Sequence, residues 1–287
     1  MKSYLSLIKF AHSVFALPFA VLAFFLGVKM TNAAPDWQLF VLIILCMLFA
    51  RSAAMAFNRF ADRKFDAKNT RTVLREIPSG VIKPTSALWF VFAMSFAFMA
   101  TAYFINPLVF SLSPVALLII LGYSYTKRFT WLCHFVLGLG LGLAPLGAYA
   151  AVTGEFHLLP ILYSIMVMLW VSGFDIVYAL QDEEFDKANG LYSVPQKFGK
   201  QTAKAISIVL HCFCACLLFY TAWYQQQVLP SFGYLHWMGA AGFVGLLIWQ
   251  HRLIKLHDLS KINQAFFETN GIASLLFGSS VIVDVLF

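Results

Sequence analysis

The chain has 287 residues, of which 61% are hydrophobic and only 11% charged, with a mean hydropathy of +0.78. Soluble domains carry about 25% charged residues, so this composition excludes a soluble globular protein and predicts a polytopic membrane protein. Lys and Arg number 20 against 13 Asp and Glu, a formal charge of +7.

A membrane span needs about 20 mostly apolar residues. Nine runs qualify: 13–29, 38–57, 86–104, 108–124, 131–152, 158–180, 203–224, 234–250 and 266–286. The first lacks a small-residue cleavage site and reads as a span rather than a removed signal. Pro35, Pro107, Gly154 and Pro230 mark short turns on one side, and the polar stretches 58–85, 181–202 and 251–265 mark the other. No polar stretch is long enough to fold apart, so residues 1–287 read as a single integral-membrane domain. Backbone polar groups cannot be left exposed to lipid. The expected fold is therefore all-α: a polytopic bundle of about nine transmembrane helices, arranged as two four-helix halves plus one helix.

Placing the N-terminus in the cytoplasm leaves Lys29 as the only one of the 20 Lys and Arg on the outer side. That asymmetry follows the positive-inside rule. It predicts an integral protein of a bacterial inner (cytoplasmic) membrane with its long polar loops cytoplasmic. The basic excess belongs to this face, and no nucleic-acid partner is expected. Cys46, Cys133, Cys212, Cys214 and Cys216 all fall in or beside apolar runs. Residues two apart on a helix share no face, so these read as small buried hydrophobes rather than a metal or redox site.

Charge is concentrated in two places. The run 58–66 carries Asn58, Asp62 and Asp66; the run 175–186 carries Asp175, Tyr178, Asp182, Glu183, Glu184 and Asp186. Two plus five of the 13 acidic residues lie in these stretches, after the second and sixth spans. Asn58, Asp62 and Asp66 stand at i, i+4, i+8, and Asp175, Asp182 and Asp186 at i, i+7, i+11, so each set is predicted to line one helix face. Asp175 lies about two turns inside an apolar run, where a carboxylate costs a few kcal/mol unless paired. Glu183 and Glu184 read as solvated helix-end acids, and Arg59 and Arg63 as anchors of a helix end. Oxygen-rich faces suit Mg²⁺, which keeps waters and bridges to substrate phosphates. The adjoining loops supply Arg71, Arg75, Lys127, Arg128 and Lys197, and such a basic rim fits a Mg²⁺-diphosphate.

These residues resemble the UbiA superfamily of intramembrane aromatic prenyltransferases. Asn58/Asp62/Asp66 fills its N-x-x-x-D-x-x-x-D pattern after the second helix, and Asp175/Tyr178/Asp182/Asp186 fills its D-x-x-Y-x-x-x-D-x-x-x-D pattern after the sixth. R-T-V-L-R-E-I-P-S-G at 71–80 and Y-S-Y-T-K-R at 123–128 are similar to two further loops of that family, and 193–199 to the segment after its second motif. The resemblance implies transfer of a prenyl chain from a polyprenyl diphosphate to a small aromatic acid acceptor. In this scheme Asn58, Asp62 and Asp66 hold one Mg²⁺, and Asp182 and Asp186 another. Arg75, Lys127, Arg128, Tyr123 and Lys197 face the diphosphate. Asp175 or Asp182 orients or deprotonates the acceptor phenol, with Tyr178 beside them. The likeness is to the 4-hydroxybenzoate polyprenyltransferase-like branch, whose product serves quinone biosynthesis. Many members of that branch carry Asn-Asp where this chain has Asn58-Arg59, so 1,4-dihydroxy-6-naphthoate, a menaquinone precursor, is the alternative acceptor. An ion-coupled transporter is a further alternative, but it would place its acids near the midplane rather than at one face. His12 and Asn270 are expected to make helix-packing hydrogen bonds.

Overall fold

A computed structural model describes residues 7, 15–229 and 232–287. His12 and Pro230, singled out in the sequence, lie outside the described residues, as do the first two positions of the 13–29 run. The described residues form an all-helical bundle: α1 Leu17–Thr31, α2 Trp37–Asp66, α3 Pro84–Ile105, α4 Pro107–Thr126, α5 Cys133–Thr153, α6 Leu158–Ala179, a short α7 Glu183–Ala188, α8 Val194–Val228, α9 Leu235–Leu253 and α10 Thr269–Leu286. Seven described segments are long and apolar enough to cross a membrane; α1 is apolar but shorter. These features make the chain an integral membrane protein.

Local chemistry sets the ends of the helices. Asp36 accepts hydrogen bonds from the backbone N–H groups of Gln38 and Leu39 and so caps α2. Asn106 caps α4 through Val109 N–H, and its amide also reaches the carbonyls of Ala150 and Ala151 on α5. Pro107 opens α4, where its missing N–H is not needed. Gly154 ends α5 at φ 71°, a left-handed conformation that glycine adopts without Cβ strain.

Helices α2, α3 and α4 pack on one another, α5 joins them to α6, and α6 packs on α8. Helix α1 lies against α5 and α10 far more than against α2, so it stands apart from the helices that follow it in sequence. The main core gathers Phe19, Phe24, Tyr163, Trp170, Phe243 and Phe277 around α6. Helices α5 and α6 approach closely. A Cβ on Gly138 would meet the Met168 carbonyl oxygen at 2.5 Å, and one on Gly142 would meet that of Ser164 at 2.7 Å. Small residues four apart let membrane helices come this near.

Three expectations are corrected. The run 175–186 is not one helix face: α6 ends at Ala179, a 3₁₀ turn covers Leu180–Asp182, and α7 follows. The Gln181 side-chain amide donates to the Tyr178 carbonyl. It thereby competes for the acceptor that a continuing α-helix would give to Asp182 N–H. Glu183 is buried, not solvated, and pairs with Lys187 at 2.5 Å; Glu184 is exposed as expected. Of the five cysteines, all free, Cys212 and Cys216 are exposed on the outer face of α8 while Cys46, Cys133 and Cys214 are buried. Asn270 does make a packing hydrogen bond, accepting from Trp170 Nε1 at 2.9 Å.

Candidate active site

Helix α2 runs unbroken to Asp66 and carries the first motif on its last three turns. Asn58 Nδ2 donates to Asp62 Oδ2 at 3.1 Å, as residues one turn apart on a face allow. The chain then turns through 67–83. Asn69 accepts from the Arg71 N–H and so folds the loop back over the helix end. Thr72 Oγ1 donates to the Asp66 carbonyl and fastens the same turn.

Four motif carboxylates, Asp62, Asp66, Asp182 and Asp186, each meet a cation from a loop. Arg75 Nη1 lies 2.7 Å from Asp66 Oδ1. Arg71 grips Asp182 with two hydrogen bonds, Nε to Oδ1 at 3.3 Å and Nη2 to Oδ2 at 2.6 Å. Lys127 Nζ lies 2.7 Å from Asp186 Oδ1, and Arg128 Nη2 lies 3.5 Å from Asp62 Oδ1. Two of these pairs cross between the motifs: the loop after α2 holds an acid that follows α6, and the loop after α4 holds Asp186 on α7. Asn69 Nδ2 adds a third contact to Asp182, at 3.3 Å. Burial works against the charged form of Arg71, yet the adjacent Asp182 carboxylate holds its pKa above the ordinary value. For Lys127 burial again opposes the charge, and Asp186 outweighs it, so that its pKa too lies above the ordinary value.

Ser193 links helix start and site. Its hydroxyl accepts from Gln196 N–H to cap α8 and donates to Asp186 Oδ2 at 2.9 Å. Beside it, Tyr192 N–H donates to the Lys127 carbonyl at 2.7 Å. Tyr178 stacks on Phe266 with ring centroids 4.2 Å apart, and Arg71 Nη1 reaches its hydroxyl at 3.4 Å. Phe266 sits in a π-helical turn, Gln264–Glu268, whose carbonyls at Ala265 and Phe266 accept from the Asn270 amide. Tyr123 is half-buried in the last turn of α4, with Asp62 and Arg51 among its charged neighbours.

Other residues singled out in the sequence sit differently. Lys197 Nζ lies 4.8 Å over the Trp131 ring and 5.3 Å from the Phe198 ring, and makes no ion pair with a motif acid. Arg63 does anchor its helix end, donating to the Phe60 carbonyl and lying over that ring. Arg59 is buried instead of flanking at the surface.

Two residues escaped the sequence reading. His134, on the first turn of α5, places Nδ1 2.7 Å from Asp175 Oδ2. Arg51 lies on α2 seven residues before Asn58 and so on the same helix face. A cation inside the apolar run 38–57 was its signal in the sequence, the same criterion that singled out Asp175. Asp175 keeps its side chain 23% exposed, while Phe174, Ile176 and Val177 around it are buried.

A model of the UbiA prenyltransferase family matches residues 16–275. The 4-hydroxybenzoate octaprenyltransferase of Aliivibrio fischeri (strain MJ11) is 31% identical over 246 residues, covering 86% of this chain and 84% of that protein. The apo structure of a UbiA homolog from Aeropyrum pernix K1 aligns with a TM-score of 0.82 at 29% identity, over 95% of this chain and 98% of that one. A UbiA homolog from Archaeoglobus fulgidus, solved bound to GPP and Mg²⁺, shares the fold with a TM-score of 0.71 at 22% identity, over 99% and 100% of the two chains. The motif resemblance, the family model and the relative agree over most of the length: this polyprenyltransferase belongs to the UbiA prenyltransferase family.

Proposed function

We propose that this chain transfers a polyprenyl group from a polyprenyl diphosphate to a ring carbon of a small aromatic acid of the 4-hydroxybenzoate type, for quinone biosynthesis. The observation that carries the reading is the set of four carboxylate–cation pairs gathered at one end of the bundle, Asp62–Arg128, Asp66–Arg75, Asp182–Arg71 and Asp186–Lys127. Each pair joins one group suited to a metal with one suited to a phosphate. The name of the Aliivibrio relative supports the acceptor class. Residues 1–287 act as one membrane domain in the inner membrane, with the motif end toward the cytoplasm.

The residues fit Mg²⁺ in donor chemistry. Every side-chain donor in the two motif sets is an oxygen, and Asp66 Oδ2 is buried without a hydrogen-bond partner. Among the described residues no three His, Cys, Asp or Glu form a ready cluster, so an ion here would draw on water and substrate oxygens to complete its shell. Asn58, Asp62 and Asp66 would hold one ion, Asp182 and Asp186 the other. Bound there, Mg²⁺ would supply electrostatic stabilisation of the departing diphosphate.

The chain's own groups do the rest. Arg71, Arg75, Lys127 and Arg128 exchange carboxylate for phosphate oxygens and neutralise the leaving group where its charge develops. Cleavage of the donor C–O bond leaves an allylic cation. The acceptor ring supplies the electron pair for the new C–C bond, and one proton leaves the acceptor. Asp175 serves the acceptor end: Oδ1, which accepts no hydrogen bond among the described residues, takes the phenol O–H. Tyr178 follows Asp175 by three residues, with its ring packed on Phe266 and Arg71 lying over it.

The test uses membranes containing the protein, a labelled polyprenyl diphosphate and 4-hydroxybenzoate. Prenylated product is expected with Mg²⁺ and none in excess EDTA, and Asp62→Ala and Asp182→Ala should each abolish it. Full turnover in EDTA, or in both variants, would overturn the reading. Arg59, standing where many 4-hydroxybenzoate enzymes carry Asp, is the reason to include 1,4-dihydroxy-6-naphthoate as a second acceptor; product from it alone would move the acceptor assignment to that class.

A further inference from the structure

We propose that His134 is the positioning residue for Asp175: it holds one oxygen of that carboxylate so that the other faces the acceptor. The inference rests on the reading that Asp175 serves the acceptor.

The hydrogen bonds fix how His134 is protonated. Its Nε2 lies 3.3 Å from the backbone N–H of Val194, at the start of α8. A backbone N–H can only donate, so Nε2 accepts and the ring proton resides on Nδ1. Nδ1–H then donates to Asp175 Oδ2 at 2.7 Å. The imidazole is buried, at 3% side-chain exposure, whereas Asp175 is 23% exposed. One edge of the carboxylate is thus engaged in the protein and the other is left for a ligand.

The ring is itself held in place. The backbone of α5 at His134 accepts from Ser172 Oγ at 3.2 Å, and Ser172 lies on α6 three residues before Asp175. The side chain that Gly138 lacks would collide with that same Ser172 Oγ at 2.5 Å. Val194 follows Ser193, whose hydroxyl holds Asp186. The start of α8 therefore touches both ends of the reaction, Asp186 through Ser193 and Asp175 through His134.

Two variants separate positioning from bracing. His134→Asn keeps a donor near the place of Nδ1 and loses the acceptor for Val194. His134→Gln keeps a polar group near the place of Nε2 and loses the donor to Asp175. If His134 acts through Asp175, kcat/KM for the aromatic acceptor falls in the order wild type, Asn, Gln. The gap between Asn and Gln should be about tenfold, as expected for a hydrogen bond to a charged group. The KM for the polyprenyl diphosphate should stay at the wild-type value in both, which also reports that each is folded. If Gln equals or exceeds Asn, or if neither variant loses acceptor turnover, the proposal is overturned and His134 is a brace between α5 and α8. Asp175→Asn is measured beside them. Loss of acceptor turnover there with no Asn–Gln difference sinks the positioning role alone; full turnover there sinks the reading of Asp175 and the proposal with it.

Discussion

Lys127 Nζ and Asp186 Oδ1 lie 2.7 Å apart, with the carboxylate fully buried and the lysine one-third exposed. The pair ties the end of α4 to α7 across the two halves of the sequence. Removing one partner of such a pair strands a buried charge, which costs about 3–5 kcal/mol. Lys127→Met should therefore lower the melting temperature of the detergent-solubilised protein. Lys127→Met combined with Asp186→Asn should regain most of that loss while transfer activity stays absent.

The same pair predicts a pH window. Its lysine is held above the ordinary value of 10.5 by Asp186. Stability from a raised lysine is fully present below the unfolded pKa and is lost as pH rises through the folded one. The difference in melting temperature between wild type and Lys127→Met should be constant from about pH 7 to 9. It should shrink only at more alkaline pH, as thermal melts across that range would show.

Arg71 holds Asp182 through two nitrogens of one planar group. Lysine offers a point charge without that fork. Arg71→Lys is expected to lower kcat/KM for the polyprenyl diphosphate by about tenfold, the scale of one charge-assisted hydrogen bond. Steady-state kinetics over a donor concentration series reads this, and wild-type values would remove Arg71 from the donor site.

Ser193→Ala removes a helix cap and the hydroxyl on Asp186 together. A lost cap costs about 1 kcal/mol, and Ser193→Thr should restore it. Chemical denaturation of the two variants checks the stability, and donor kinetics checks whether Asp186 has moved.

Gly138 and Gly140 form an internal control on α5. A Cβ at 138 meets the Met168 carbonyl oxygen at 2.5 Å, whereas one at 140 makes an ordinary 3.6 Å contact with Ile120. Gly138→Ala should destabilise by about 1–3 kcal/mol through overpacking and lower acceptor turnover, because His134 lies one turn away. Gly140→Ala should do neither, as parallel melts and turnover assays would show.

The first motif was legible in sequence because α2 does not break: Asn58, Asp62 and Asp66 share the face that i, i+4 spacing assigns them. The second was legible in composition but not in shape. At the turn Leu180–Asp182 the Gln181 amide donates to the Tyr178 carbonyl, and hydrophobic periodicity carries no trace of such a contact. Sequence proximity places Lys197 with the basic rim, but the rings of Trp131, distant in sequence, and adjacent Phe198 hold its ammonium instead. Glu183 looked like a solvated end acid because its partners, Lys187 and Lys200, are ordinary surface residues in sequence. His134 was invisible for a different reason. A lone histidine at a helix start has no pattern, and its partner Asp175 is 41 residues away.

The four ion pairs also bear on what the site ignores. An anion arriving without cations of its own meets arginines and a lysine already engaged, and must pull each from an aspartate it cannot replace. A diphosphate arriving with its metals brings a substitute for every contact it breaks. On the proposed reading the carboxylates would turn to the metals and the basic groups to the phosphates, leaving no charge stranded. On that reading free phosphate should compete poorly, because the discrimination would be built into the ion pairs of the resting protein.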